Sequence, residues 1–359
     1  MKKFSIVLLV AALMFSLVAC APADNKEKAT EAPAAEKKQE EQKEEKPEEK
    51  PEEKKEEEPK ADKEKEPAAD AEMNIHLITM DQMDVHWVKL EKAAKAKVEE
   101  LTGAGKKINY KWLAPEKKDN AQQIQMIETA INDGANVIII SCNDSTAAND
   151  VLKEALDKGI KLIYVDSPAT VEASATFATD NFAAGEAAGK KLLEELEAAE
   201  IKEGKIGIIS AQAGVQSCID RVDGFIKAFD GTPYELGEVQ YSDGDAAKAQ
   251  DQAAALINDG VIALYGANDG ATNGMANAVK EANANGKNVL AVGFDNSSSN
   301  RAHVKDGELL AFMAQNPNVM GEKSIEAAVK VLEGEKLEET QVDTGVTVVT
   351  KDNVDQFED

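Results

Sequence analysis

One passage in this chain is written twice, and that duplication limits the possible folds more than any other feature. Ile131-Asn132-Asp133-Gly134, an apolar run and Asn143-Asp144 are answered by Ile257-Asn258-Asp259-Gly260, an apolar run and Asn268-Asp269. Each copy then passes through a helical pattern to a second apolar strand that stops on an acid, Leu162 to Asp166 in one and Val289 to Asp295 in the other. Helix, buried strand, polar loop, helix, buried strand is the rhythm of a parallel sheet covered by helices. The expected class is therefore α/β, with two similar doubly wound parallel-sheet lobes. Ligands of open α/β sheets bind at the carboxyl ends of the strands, where both copies put their Asn and Asp, so two such edges facing each other make a ligand cleft.

The remaining periodicity fills in the lobes. Strands are predicted over 74–79, 108–113, 137–140 and 161–165, with helices over 86–101, 120–132 and 146–156, which makes a first lobe of four strands. After Phe177-Ala178-Thr179-Asp180 and a helix over 185–198 the pattern restarts, with strands over 206–209, 237–241, 262–265 and 289–293 and helices over 219–229, 246–257 and 271–284. A strand over 309–314, a helix over 320–332 and a strand over 346–349 close the chain.

Residues 1–19 read as a leader, with Lys2 and Lys3 before an apolar run that is too short to span a membrane. Leu17-Val18-Ala19-Cys20 resembles a bacterial lipobox, which makes Cys20 the expected lipidation site. Residues 21–72 hold 12 lysines, 20 acids and six of the ten prolines, with no aromatic residue. Such a segment buries too little apolar surface to offset ordering and reads as a tether. The whole chain carries a net charge of -26, which disfavours nucleic acid and anionic membrane surfaces as partners. Cys20, Cys142 and Cys218 show no metal-ligand spacing, and Cys142 and Cys218 read as small buried hydrophobes.

There is no phosphate loop, no dinucleotide fingerprint, no zinc-protease motif and no nucleophile elbow, so neither a metal nor a cofactor is expected. His76 and His303 read as structural or surface residues. Paired acids such as Asp166 and Asp295 leave an acid and base enzyme open on residue type alone. Binding fits better, because the strand ends carry Asp81, Asp84, His86, Trp87, Ser141, Asp166, Arg221, Asn268, Asp295 and Gln315. Carboxylates accept from vicinal hydroxyls, Arg donates, Asn and Gln do both, and Trp offers a flat apolar face to a sugar ring. Asp144, Asp269 and Asp180 read as helix N-caps, and Trp112 as packing.

Seven short segments, in order, resemble the type I periplasmic-binding-protein family, specifically the ribose/galactose-like receptors of ABC importers. They are Met80-Asp81 with His86-Trp87, Val165-Asp166-Ser167, Ala178-Thr179-Asp180-Asn181, Arg221-Val222-Asp223-Gly224-Phe225, Ala267-Asn268-Asp269, Val292-Gly293-Phe294-Asp295 and Ala314-Gln315-Asn316-Pro317. The resemblance implies a monosaccharide stacked on Trp87 and hydrogen-bonded by Asp166, Arg221, Asn268, Asp295 and Gln315. It also implies a three-crossover hinge near Thr179, Gln315 and Asp343, hence lobes of 73–179 with 316–342 and of 180–315 with 343–359. Lipidated Cys20 and a tether over 20–72 suit the outer face of a Gram-positive cytoplasmic membrane, where the chain would be held by its lipid alone, and a monomer is expected. Its partner would be an ABC permease, a sensor kinase being the alternative, and a nucleoside or other small polar solute the alternative ligand. The family pattern departs at Ser167, where an Arg is usual, at His86, which replaces a second aromatic, and near Gly244, where an aromatic is missing and Tyr241 is the candidate substitute.

Overall fold

Val137–Ile140 is a run of four fully buried β-branched residues, each stabilised by about 1.5–3 kcal/mol of apolar burial. Such a run is at home only where both faces of a sheet are covered. In the computed structural model, which describes residues 72–357, it forms β3 at the centre of the first lobe. The leader, Cys20 and the tether lie outside the described residues.

The first lobe runs β1 (Met73–Ile78), α1 (Val85–Gly103), β2 (Ile108–Leu113), α2 (Asn120–Asn132), β3, α3 (Asn149–Asp157), β4 (Lys161–Val165) and β5 (Ala175–Ala178). The second runs α4 (Asn181–Ala198), β6 (Gly204–Ser210), α5 (Gln216–Ala228), β7 (Tyr234–Tyr241), α6 (Ala246–Asn258) and β8 (Ala263–Gly266). It continues with α7 (Asp269–Ala284), β9 (Leu290–Phe294), α8 (Ser298–Asp306) and β10 (Ala311–Gln315). The chain then supplies α9 (Pro317–Leu332), β11 (Gln341–Asp343) and β12 (Val346–Thr350).

The two six-stranded sheets have the same spatial order, β11-β5-β4-β3-β1-β2 and β12-β10-β9-β8-β6-β7. Every pairing is parallel except that of β12 with β10. In both lobes the order reverses beside the first strand, so the loops after β1 and β3, and after β6 and β8, diverge into a crevice. The first sheet has six strands where the periodicity predicts four. β5, with the sequence Ala-Thr-Phe-Ala, is too short to show a period, and β11 arrives from the far end of the chain.

The chain passes between sheets after β5, after β10 and between β11 and β12. The three passages are tied together. Asp343 Oδ1 accepts from the Asp180 and Gly345 amides at 3.0 and 2.8 Å, and Asn316 Nδ2 donates to the Thr344 carbonyl at 2.7 Å. Gly345 turns there at φ 81°, in the left-handed region that Gly adopts at little cost.

The described residues belong to one compact unit, and its lobes are closed on each other. The Ser145 amide donates to the Gly214 carbonyl at 2.9 Å, the Ser217 amide to Ser167 Oγ at 3.2 Å, and Lys89 Nζ to the Asn296 carbonyl at 3.1 Å. A Cβ on Gly214 would stand 1.9 Å from Asp144 Oδ2, so a larger residue there would displace the Asp144 side chain. Ala211, Val215 and Cys218 of the second lobe join the apolar cluster that holds Met80 and Trp87 of the first.

Candidate functional site

Asp166 and Asp295 follow the equivalent strands β4 and β9, and both have left-handed backbones, at φ 58° and 73°. Aspartate tolerates this region better than most residues, but such strain still costs about 1–3 kcal/mol and persists only where the surroundings enforce it. Here they do. The Asp166 amide donates to the Phe177 carbonyl and the Asp295 amide to the Met313 carbonyl, so each acid is held by the next strand of its sheet.

Asp84, His86, Trp87, Asp166, Arg221, Asn268, Asp295 and Gln315 line a single cavity between the lobes. Its free space is about 30 Å³, room for roughly one or two waters, so a larger solute enters only if the lobes part. A chamber of about 430 Å³ beside α1 and α9 adjoins it and shares Asp84, His86, Asp295 and Gln315. The other two candidates lie off the inner cavity. Asp81 faces the outer mouth, its Oδ1 accepting from the Met83 and Asp84 amides. Ser141 is fully buried at the end of β3, where its carbonyl accepts from Gln123 Nε2 at 2.8 Å.

Arg221 is the centre of the charge arrangement. It is 3% exposed, with Nε donating to Asn181 Oδ1 at 2.8 Å, Nη1 donating to the Ala267 carbonyl at 3.0 Å, and the guanidinium carbon 4.2 Å above the Phe294 ring. Its Nη2 lies 3.7 Å from Asp166 Oδ2 across the cleft, and its Nη1 lies 4.0 Å from Asp295 Oδ2. Burial alone would lower its pKa, but the Asp295 and Asp166 carboxylates raise it further. The close contact of α4 with α5 sets its position, since a Cβ on Gly185 would stand 2.0 Å from the Arg221 carbonyl oxygen. The surface pairing of Arg221 with Asp220 or Asp223 that its sequence neighbours allow is therefore not formed.

The two carboxylates are held by different chemistry. Asp295 Oδ1 accepts from Gln315 Nε2 at 2.6 Å and its Oδ2 from the Asp269 amide at 3.0 Å. Asp166 Oδ2 lies 3.1 Å from His86 Nε2, within ion-pair range although off the straight line a hydrogen bond prefers. Burial pushes Asp166 upward, but His86 and Arg221 outweigh it and hold the carboxyl below the usual range. Burial likewise disfavours a charged His86. Asp166, with Asp295 and Asp84 behind it, reverses the balance and raises the imidazole above its ordinary value.

Four groups that sequence patterns do not single out complete the site. Lys118 is one. It sits in an acidic-basic loop, and its part-buried Nζ lies 2.6 Å from Asp81 Oδ2 and 3.3 Å from Asp84 Oδ2. Its stem lies beside Gly244, where a Cβ would be 3.5 Å from Lys118 Cδ. Tyr241 is 41% exposed and outside the inner cavity. Ser217 and Cys218 enter from the first turn of α5, and Ser217, four residues before Arg221, shares its helix face. Asn181, which grips Arg221, is the fourth.

Asp269 departs from its expected capping role. Asn268 occupies the N-cap and Asp269 is the first helical residue of α7, its Oδ1 accepting from Asn300 Nδ2 at 2.8 Å. Burial, then repulsion from Asp84 across the cleft and from Asp295, pushes its carboxyl up to about 7. Asp180 does cap α4, whereas Asp144 does not cap a helix: it accepts from the Thr146 and Ala147 amides in the turn ahead of α3, whose N-cap is Ala148. His76 is buried within β1, and Trp112 donates to Thr79 Oγ1 at 2.9 Å at the edge of the core. Cys142 and Cys218 are buried and unbonded, and burial pushes the Cys142 thiol up to about 12.

Several buried polar atoms of the cavity residues have no hydrogen-bond partner: Trp87 Nε1, Arg221 Nη2, Asn268 Oδ1 and Gln315 Oε1. They come from both lobes. Among the described residues no group of acids, histidines and cysteines is arranged to hold a metal ion. The arrangement can therefore accept and donate hydrogen bonds to a polar solute and fix its orientation.

Comparison with known proteins gives the same outline. The chain is 30% identical over 256 residues to the ribose import binding protein of Haemophilus influenzae, an alignment covering 70% of this chain and 83% of that one. It is 30% identical to the D-allose-binding periplasmic protein of Escherichia coli, over 68% and 79% of the two chains. Among solved structures, an ABC transporter solute-binding protein from Agrobacterium vitis with bound D-fucose superposes with a TM-score of 0.72 at 32% identity, over 79% of this chain and 97% of that one. A carbohydrate transporter solute-binding protein from Agrobacterium radiobacter in complex with D-arabinose gives 0.73 at 27% identity, over 79% and 96%. All four are binding proteins by name, as expected of a chain that binds rather than catalyses. Residues 75–336 match the periplasmic binding protein domain family, and with the paired sheets, the three passages and these relatives the chain belongs to that family.

Proposed function

We propose that this chain is an extracytoplasmic solute-binding protein that captures a neutral monosaccharide between its lobes by hinge closure and delivers it to the permease of an ABC importer. The observation that carries this reading is the convergence of unpartnered buried polar atoms from both lobes on one cavity. Each such atom costs about 1–3 kcal/mol unless something pairs with it. A polyol supplies donors and acceptors to all of them at once.

Charge supports a neutral solute. Asp84, Asp166 and Asp295 in the cavity wall face His86, Lys118 and Arg221, three carboxylates against three cations. In this reading Asp166 and Asp295 each accept from sugar hydroxyls, Arg221 and Asn268 donate, Gln315 does both, and Trp87 offers its ring. Asp81 and Ser141 act from behind, Asp81 by shaping the loop before α1. The relatives named for ribose and D-allose, and the structures with D-fucose and D-arabinose, support a pentose or hexose as cargo.

Closure follows from the cross-cleft contacts. A solute touching both lobes interacts more strongly with the closed than with the open state, so it shifts the equilibrium toward the form a permease recognises. The lobes are 73–179 with 316–342 and 180–315 with 343–359. In this reading Cys20 carries the lipid, residues 20–72 tether the protein to the outer face of a Gram-positive cytoplasmic membrane, and it works as a monomer.

The test is thermal unfolding of the protein against pentoses, hexoses, inositols, disaccharides, nucleosides and amino acids, with calorimetry on any hit, because a ligand of the folded state alone raises the transition temperature. A shift with one monosaccharide, and compaction in solution scattering on saturation, is the expected result. Silence across all sugars with a shift from a nucleoside or amino acid overturns the cargo and keeps the fold.

A further inference from the structure

We propose that His86 is a positioning residue whose imidazolium holds the Asp166 carboxylate in its ligand-facing orientation and makes capture of the monosaccharide depend on pH. The inference rests on the functional reading above and assigns a role to the residue that departs most from the family pattern.

His86 occupies the first turn of α1, is 8% exposed, and donates its backbone amide to Asp84 Oδ1 at 3.0 Å. Its ring stands edge-on to Trp87, with centroids 4.5 Å apart and planes at 89°. The Trp87 face is therefore not sandwiched by a second ring stacked on it. Instead the imidazole reaches Asp166 Oδ2, the oxygen that Arg221 Nη2 addresses from the opposite lobe. Two cations on one oxygen fix which way the carboxylate is turned. With His86 neutral, Arg221 acts alone at 3.7 Å and Asp166 loses its nearer counter-charge.

Every element around the cavity contributes to the field at His86. The acids are Asp84 at the cap of α1, Asp166 after β4, Asp295 after β9 and Asp269 at the start of α7, with Glu322 of α9 in the adjoining chamber. The cations are Lys89 and Lys92 on α1, Lys118 after β2 and Arg221 on α5, and the buried thiol of Cys218 is also near. Acids dominate closest to the ring, which is why its affinity for a proton is raised despite burial. A raised folded value means that the stabilising charge is fully present below the ordinary histidine value and is lost as pH rises through the raised one. Asp269, pushed up to about 7, loses its proton in an overlapping window and acts in the same direction.

The test has two arms. The first follows imidazole proton resonances of the purified protein through pH. Only His76, His86 and His303 contribute, and His86→Gln assigns the signal. His86 is expected to titrate above the ordinary value and above His76, whose burial lowers it, and to fall in Asp166→Asn. Titration of His86 at or below the ordinary value overturns the proposal. The second arm measures affinity for the monosaccharide found in the panel. Wild-type affinity is expected to drop several-fold as His86 loses its proton, because the closed lobes hold that charge beside Asp166. His86→Gln should decline less steeply, His86→Phe likewise and with weaker binding, and Asp269→Asn should keep most of the decline. A His86→Gln profile parallel to wild type overturns the proposal. Failure of every sugar to bind overturns the functional reading instead, and the resonance arm then still accepts or rejects His86 as the cation of Asp166.

Discussion

The two lobes repeat one strand order and place an aspartate with a left-handed backbone after the equivalent strand, yet they hold that aspartate with unlike groups. In the second lobe neutral amides, Gln315 and the Asp269 backbone, grip Asp295. In the first lobe His86, and across the cleft Arg221, face Asp166 as charges, while Lys118 pairs with Asp81 and Asp84 close by. Repetition of the fold thus fixes where each carboxylate stands, because the backbone path at the end of a parallel strand is set by the sheet. The side chains that surround it are free to differ. The grip on Asp295, through Gln315 and a backbone amide, should be indifferent to pH, and the grip on Asp166 should not.

The largest expected effect comes from the residue that serves both halves. Arg221→Ala leaves Asp295 without its cation and Asp166 with His86 alone, and removing one partner of a buried pair costs about 3–5 kcal/mol. Calorimetry with the monosaccharide ligand should show affinity reduced by at least about 100-fold, which corresponds to roughly 2.7 kcal/mol. Near-wild-type affinity would show that the site does not depend on the cation shared between its halves.

Replacing each acid by its amide sharpens the comparison. Asp295→Asn removes charge-assisted hydrogen bonds worth about 1.5–3 kcal/mol each, so affinity should fall at every pH while a decline toward higher pH remains. Asp166→Asn should both weaken binding and flatten the profile, since His86 loses the partner that keeps it charged. If the two variants give profiles of the same shape, the lobes do not differ in the way described.

The smallest effect concerns the acid that faces the other lobe. Asp269 has its carboxyl raised to about 7, so the stability it contributes is complete below the ordinary aspartate value and is lost as pH rises toward about 7. Asp269→Asn should therefore match wild type in acid and unfold roughly 2–4 °C higher above neutrality, the shift that 1 kcal/mol gives a domain of ordinary size. An unchanged transition temperature above neutrality would place Asp269 in solvent rather than against Asp84.

Much of this was legible in the chain. The doubled Asn-Asp-Gly passages predict paired lobes because buried parallel strands must be continuous apolar runs, and the crevice rule then puts Asp84, His86, Trp87, Asp166, Arg221, Asn268, Asp295 and Gln315 at strand ends, where one cavity brings them together. What was not legible follows from contacts distant in sequence. β11 joins the first sheet because α9 carries the chain back across the hinge, and three residues pairing with β5 leave no periodic trace. Lys118 sits in a run, Glu116-Lys117-Lys118-Asp119, that is indistinguishable from a solvated loop until Asp81, Asp84 and Gly244 surround it.

The sequence by itself determined the class of fold, the two-lobed plan and which strand ends carry chemistry, since all of these depend on local hydrophobic period and on residue type. Only the tertiary structure decided how the charges are shared. Whether His86 faces a second ring or a carboxylate, and whether Arg221 pairs at the surface or spans the cleft, depends on how closely α4 meets α5 and the lobes meet each other. Those distances are set by glycines such as Gly185 and Gly214, whose missing side chains acquire meaning only through what packs against them.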